Sequence, residues 1–413
     1  MGTSAPIETR PASLRKNFAW TFAGNVVLGA SQWAILSLIA KLGNSEMLGQ
    51  YALAAAVAGP IAMLAHLNLR AVLATDIQRR HPFRDYLAVR MMTSAGALCA
   101  TGLVAWIAGY RGLVAAVILL MGVWLGAENV SDTYYGLMQR RERMDQIACS
   151  MMARGALSVI GVGAVLWSTG SLVLSVIAPV IVRIAVLLAY DRPVGSAGES
   201  VGGSGGSSRL AIFRMALPLG VVLMLVSLTT NVPRYAIEHF HGASELGVFA
   251  AVASFINAGS AVVGALGQSA MPRLAIYFSQ RDLKRFRQLT VRLIALSFAL
   301  GVMGVVGAAV LGRFLLRVMY RPEYSAYQVL FVGVMCAGVL CYVSVMMGYV
   351  LTSARSFRPQ LPLQVAAVTA AALASWFLVP THGLSGAAIA IALAFGVRIA
   401  GATLILRYAM KNI

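Results

Sequence analysis

GASELGVFAAVA, residues 242–253, repeats a stretch met much earlier in the chain, GNSEMLGQYALA at residues 43–54, with one residue, Met47, extra in the earlier copy. Each copy lies between the first and second apolar run of its half, which marks an internal repeat. The surroundings say what the repeat is built in. Hydrophobic residues fill 59% of the 413 positions and charged residues 11%, whereas a soluble chain carries about a quarter charged residues to wet its surface. Most of this surface must therefore be covered by lipid. The chain divides into about twelve apolar stretches, near 18–40, 51–69, 89–109, 113–136, 147–168, 171–190, 211–236, 245–270, 290–311, 327–351, 361–379 and 384–406. Most approach the roughly 20 residues that a helix needs to cross the hydrocarbon core. Long unbroken runs exclude a transmembrane barrel, whose strands are short and alternate.

The longest polar, low-complexity stretch, DRPVGSAGESVGGSGGSS at 191–208, falls after the sixth apolar run. Glycine and serine at that density make a flexible linker. It leaves six spans on each side, and six is even, so the halves share one orientation and are related by a pseudo-two-fold axis along the membrane normal. The expected fold is an all-α polytopic membrane protein with about 12 transmembrane helices in two parallel-repeat bundles, residues 1–190 and 210–413, joined by a cytoplasmic linker at 191–209.

The first run, FAWTFAGNVVLGASQWAILSLIA, follows Arg10, Arg15 and Lys16; it is too long for a cleaved leader and reads as an anchor. With the N-terminus inside, 27 of the 33 basic residues fall on the cytoplasmic side; the other six are Lys41, Arg111, Arg234, Arg313, Arg317 and Arg321. That bias places both termini in the cytoplasm. The net charge of +19 is thus mainly a topology signal, and its dispersal over many loops argues against nucleic acid. Cys99, Cys149, Cys336 and Cys341 lie in or at the ends of apolar runs without a C-x-x-C pair and read as apolar packers, not disulfides or metal ligands. The 19 methionines are scattered and read as adaptable packing. No phosphate loop, H-E-x-x-H or soluble catalytic domain interrupts the chain, so neither an ATPase nor an enzyme is expected.

LPLGVVLMLVSLTTNVPRYAIEHFHGASELGVFAA at 217–251 resembles the polysaccharide transporters of the multidrug/oligosaccharidyl-lipid/polysaccharide (MOP) flippase superfamily. So do MPRLAIYFSQRDLKRFRQL at 271–289, TSARSFRPQ at 352–360 and GLSGAAIA at 383–390, with LGQYALA and NLRAVLATD in the first half. The resemblance implies a flippase of the bacterial inner membrane that moves a polyprenyl-diphosphate-linked oligosaccharide to the outer leaflet for O-antigen or exopolysaccharide assembly. It also implies other polysaccharide assembly proteins as partners. Fourteen-span relatives fit less well, because two spans are absent here.

Such a cargo needs a wet path and cations for its diphosphate, and an ionisable residue at the bilayer centre costs about 2.5–3.5 kcal/mol on insertion scales. Intramembrane charges are therefore the candidates. Arg398 lies about nine residues, or roughly 13 Å, from its helix end and is the best cavity-lining candidate. Arg154 either lines the cavity or snorkels to the interface, and Arg183 reads as snorkelling. Arg70 and Arg273 occupy corresponding inner ends of spans two and eight, to greet diphosphate or to anchor on headgroups, with anchoring favoured. Glu128 and Asp132, four apart on one helix face, carry a coupling proton or sodium ion, or pair with Arg154 or Arg398 as structural glue. No other cofactor is expected.

Asn25 and Gln32 share a face with Gly29, read as close helix packing ahead of a sugar-facing role. His239 and His241, two apart beside Glu238, read as interfacial loop histidines and not as a metal site. Pro233 removes a backbone donor and is expected to break span seven and act as a hinge. Asn231 and the carbonyls freed there would offer hydrogen bonds, and the planar fork of Arg234 suits a diphosphate. The competing reading anchors Arg234 on Glu238, four residues on. Two rival functions remain: a drug or organic-cation antiporter of the same superfamily, which would want an acidic cavity, and a membrane-bound glycan polymerase or acyltransferase, which would want a larger polar loop.

Overall fold

The computed structural model describes residues 14–76, 81–196, 206–354, 356 and 359–411, and among them there is no strand. The termini and residues 197–205 of the expected linker lie outside the described residues, while Arg192–Ser196 and the chain from Gly206 are helical. Among the described residues ten continuous helices are long and apolar enough to cross a membrane. Two of these cannot be single spans. Gly206–Ser279 has 74 residues, which straight would run about 110 Å, several times the hydrocarbon thickness. The chain doubles back at Gly242 (φ 84°, ψ 177°) and again, within Gln360–Lys411, at Gly383 (φ 58°, ψ −136°). Both conformations are open to glycine and strained for other residues. Twelve spans result, as expected.

Spans one to six are Leu14–Leu42, Ser45–His66, Phe83–Ile107, Gly112–Arg140, Met144–Thr169 and Leu172–Val186. A wide helical turn, Leu187–Asp191, and the helix Arg192–Ser196 prolong span six, and a short helix, Leu69–Thr75, follows span two. Spans seven and eight are 206–241 and 243–279, span nine is Leu283–Met319, span ten is Gln328–Ser353, and spans eleven and twelve are 360–382 and 384–411. Several helices outrun the apolar stretches that announced them, span nine most of all. Its added turns carry Lys284, Arg285, Arg287, Arg313 and Arg317, residues that suit a headgroup layer and not hydrocarbon.

Large apolar side chains such as Trp167 and Val329 are more than four-fifths exposed, which only lipid accommodates. Span four sits at the centre of the first half, against spans two, three and six, and span ten takes the same place in the second, against spans eight, nine and the eleven–twelve pair. The halves meet chiefly through span two against spans seven and eight.

The two repeat copies meet each other. Ser45 and Ser244, equivalent in the two stretches, share a hydrogen bond of 2.6 Å. A Cβ on Gly49 would collide with the Ala243 carbonyl, and one on the equivalent Gly247 would collide with the Ser45 carbonyl. Backbones thus touch reciprocally across the pseudo-two-fold axis. Nearby, Trp33 Nε1 donates to Tyr320 Oη at 3.0 Å, Ser37 donates to the Met319 carbonyl, and Arg321 reaches the carbonyls of Lys41 and Gly43. These contacts close the halves together at this, the far end; the opposite, basic end carries most of the arginines and its own contacts between the halves, among them Arg209 Nε with Asp85 at 3.1 Å.

Candidate functional site

Span two holds two irregularities, and both organise the chemistry around it. Pro60 has no N–H, so the Ala56 carbonyl four residues back loses its helical donor. Tyr235 of span seven supplies the replacement, its hydroxyl donating to that carbonyl. The contact fixes the depth at which the two halves register. One turn away, Asn231 lies against Gly59, where a Cβ would come within 4.0 Å of Nδ2. Asn231 Nδ2 donates to the Ser227 carbonyl at 2.9 Å, and its Oδ1 accepts from Arg234 Nη1 at 3.1 Å.

Arg234 is therefore held at the seam between the halves, half-buried, with its Nε buried and without a partner. It has no ion pair among the described residues. The expected anchor fails, because the Glu238 carboxylate accepts instead from Tyr110 Oη of the span three–four loop at 2.9 Å. The expected hinge at Pro233 fails as well: helical dihedrals run through it to the reversal at Gly242. A proline is tolerated there because the chain on either side is held by Asn231, Tyr235 and the packed seam.

Arg398 also has no ion pair among the described residues. It lies along Gly348 of span ten, where a Cβ would come 3.3 Å from Nη2. The spans of the second half hold no carboxylate away from their ends: its four acids are Glu238, Glu245, Asp282 and Glu323.

The first half contrasts with this. Glu128 receives Arg154 Nη2 at 3.1 Å and also pairs with Arg183. Arg154 and Arg183 are 1% and 3% exposed, so both cavity-lining by Arg154 and snorkelling by Arg183 are overturned. Their guanidiniums stack near the rings of Tyr135 and Trp124, at 5.3 and 4.8 Å from the centroids. The glue reading of Glu128 is the one that the geometry carries.

Asp132 shares the helix face but has other partners: His66 Nε2 at 3.0 Å and Arg70 Nη1 at 3.3 Å. Arg70 Nε donates in addition to Gln139 at 2.8 Å, so Arg70 is engaged within its own half. Its counterpart Arg273 is exposed, with no ion pair among the described residues; the two do not act alike.

Sequence reasoning missed Arg90 and His66. Arg90 is fully buried, with Nε to Thr133 Oγ1 at 2.8 Å and Nη1 to the Ala65 carbonyl at 3.0 Å. That carbonyl is freed where span two ends in left-handed Leu67 and Asn68 (φ 50° and 51°). The signal was present as an arginine inside an apolar run.

Asn25, Gly29 and Gln32 are all exposed, and a Cβ on Gly29 would meet nothing within 4 Å. The close packing expected of this face is absent. Polar side chains on an uncovered face of a span are at home in a water-filled cavity, not against lipid. His241 Nε2 contacts the Val379 carbonyl at 2.9 Å and His239 stacks on Trp376. No group of three metal-ligating side chains occurs among the described residues.

A family model described as polysaccharide biosynthesis protein matches residues 14–278. The chain is 23% identical to the capsular polysaccharide biosynthesis protein CapF of Staphylococcus aureus over 91% of this chain and 95% of that one. In structure it resembles an inward-facing multidrug resistance MATE family transporter of the MOP superfamily (TM-score 0.77, 13% identity, 95% and 98% of the two chains). It also resembles the lipid II flippase MurJ in an inward closed conformation (TM-score 0.74, 10% identity, 95% and 87%). These likenesses show the two-bundle transporter fold.

Proposed function

Because the chain belongs to the polysaccharide biosynthesis protein family, we propose that it flips a polyprenyl-diphosphate-linked oligosaccharide from the cytoplasmic to the outer leaflet of the bacterial inner membrane, for O-antigen or exopolysaccharide assembly. The protein is a carrier and not an enzyme: the seam at span two opens alternately at its two ends. The excess of basic residues assigns the basic end and both termini to the cytoplasm. On this reading the far-end contact between the halves belongs to an inward-facing state. Other polysaccharide assembly proteins are the natural partners, since they make the cargo and receive it.

One observation carries the reading: Arg234, at the seam and without any carboxylate, offers a planar donor fork where a passing diphosphate would lie. Arg398 adds a second unpaired cation in the same half, and Asn25 and Gln32 line the uncovered face of span one, where sugars could exchange water for amide hydrogen bonds. Organic cations would be repelled by this arrangement, which disfavours the drug antiporter.

The test is flipping of a fluorescent lipid-diphosphate oligosaccharide in proteoliposomes. Arg234→Lys keeps charge and loses the fork; Arg234→Ala loses both. Both should slow flipping at unchanged protein level, the alanine more. A lysine variant as fast as the wild type, or transport of organic cations instead of the lipid, would overturn the assignment.

A further inference from the structure

Span nine, Leu283–Met319, is longer than a crossing needs. From Arg292 to Arg313 its rise alone amounts to about 31 Å, which already matches the hydrocarbon core. Between those arginines one face is apolar and exposed, with Phe298, Val302, Val306 and Val310 on it, and lipid covers such a face. Ahead of Arg292 the same face continues for about two turns into the basic end, where it carries Lys284, Arg287, Gln288 and Val291.

This overhang is packed down and not a trailing loop. Phe286 is fully buried, its ring 5.3 Å from that of Phe278 on span eight, and Thr290 and Leu293 are buried on the same side. Asp282 caps the first turn, accepting from the Arg285 N–H at 3.0 Å, and its carboxylate also takes the Arg285 guanidinium at 3.4 Å. The neighbouring acid is thereby occupied. Lys284, Arg287 and Arg292 stay exposed with no ion pair among the described residues. Together with Leu283, Gln288 and Val291 they line a depression of about 610 Å³.

Three cations without a carboxylate call for an anion, and the apolar wall continuous with a lipid-covered face calls for one that carries hydrocarbon. We propose that this depression binds an anionic phospholipid of the leaflet at the basic end. Its phosphate lies among Lys284, Arg287 and Arg292, Gln288 meets a headgroup hydroxyl, and an acyl chain runs along Val291 and Phe298. Because the opposite face of the helix is locked by Phe286 and Leu293, binding orders side chains but no backbone, which keeps its entropic cost small. Span nine packs chiefly within the second half, so the site stands apart from the seam, and the inference does not depend on what is flipped. A lipid gripped there ties the second half to one depth in its leaflet.

The probe is phosphatidylglycerol added to delipidated protein in detergent, with bound lipid counted by native mass spectrometry at low ionic strength, where screening is weak. A basic residue near an anionic membrane surface contributes about fivefold in affinity. Lys284→Gln should therefore weaken binding about fivefold and Lys284→Gln/Arg287→Gln roughly twentyfold, while Lys284→Arg should retain it. Arg313→Gln/Arg317→Gln removes the same charge from the other end of the helix and should weaken it far less. Phosphatidylcholine binding should respond to none of these, and glycerol 3-phosphate, a headgroup without tails, should not displace the lipid at equal concentration. Melting curves in detergent alone establish that each variant is folded. An equal loss from the outer pair would reduce the effect to general charge attraction, and displacement by glycerol 3-phosphate would make this a site for free phosphate. Either result, or an unchanged affinity in both glutamine variants, would overturn the proposal.

Discussion

The two halves share a fold and differ in how they treat arginine. In the first, Arg154 and Arg183 converge on Glu128, Arg70 on Asp132, and Arg90 on a hydroxyl and a carbonyl. In the second, Arg234 and Arg398 are held by position but meet no carboxylate, because its spans contain none away from their ends. Charge in the first half is consumed by the structure; charge in the second is left over for a ligand. Breaking a buried pair strands a charge and costs about 3–5 kcal/mol, whereas removing an unpaired buried cation costs little. The same substitution should therefore damage the halves in different ways.

The largest expected effect is that of Glu128→Gln, which leaves two guanidiniums buried without a counter-charge and should remove about 3–5 kcal/mol. A wild-type melting temperature in detergent would break the comparison at its base. Next comes the seam that the halves share. Gly49→Ala puts a methyl into the Ala243 carbonyl, a clash worth about 1–3 kcal/mol against the sealed state. A single cysteine in place of Gln32 should then become more reactive to a bulky reagent added at the far end.

Tyr235→Phe should cost about 1 kcal/mol, the net value of one hydrogen bond. In a Pro60→Ala background the helix supplies its own donor to Ala56, so the tyrosine's contribution should vanish, and a non-zero double-mutant coupling measures it. Smallest in stability is Arg398→Met, expected within about 0.5 kcal/mol of wild type or above it, with flipping impaired. A loss of folding as large as that of Arg154→Met would erase the distinction between the halves.

The spans and the repeat could be read from the sequence because lipid imposes one period on every crossing segment and because GNSE and GASE stand at equivalent places. Arginine partners could not. Periodicity puts Glu128 and Asp132 on one face, but only the packing of spans five and six decides that Glu128 takes both Arg154 and Arg183. Pro233 misled for a related reason: a lost donor need not bend a helix whose neighbours hold it, and the actual reversal came from a glycine nine residues on. His66 lies inside the second apolar run, 51–69, and its contact with Asp132 depends on the approach of span four, which side-chain pattern does not announce. That Arg234 lacks an ion pair could not be read either, since it follows from Tyr110 capturing Glu238, a contact between residues 128 apart in sequence.

At the far end, glycine lies on backbone and a single serine pair supplies the hydrogen bond between the two repeat copies. Between the copies themselves water replaces the serine contact almost in kind, and the contacts beside them, Trp33 with Tyr320 and Arg321 with the Lys41 and Gly43 carbonyls, are hydrogen bonds that water can also take over. Such a joint wears the character of a bearing more than of a lock: it slides apart with little friction, and small biases decide which way it stands. A carrier of bulky, slowly arriving cargo is served by that, because its turnover is then paced by loading and not by prising itself open.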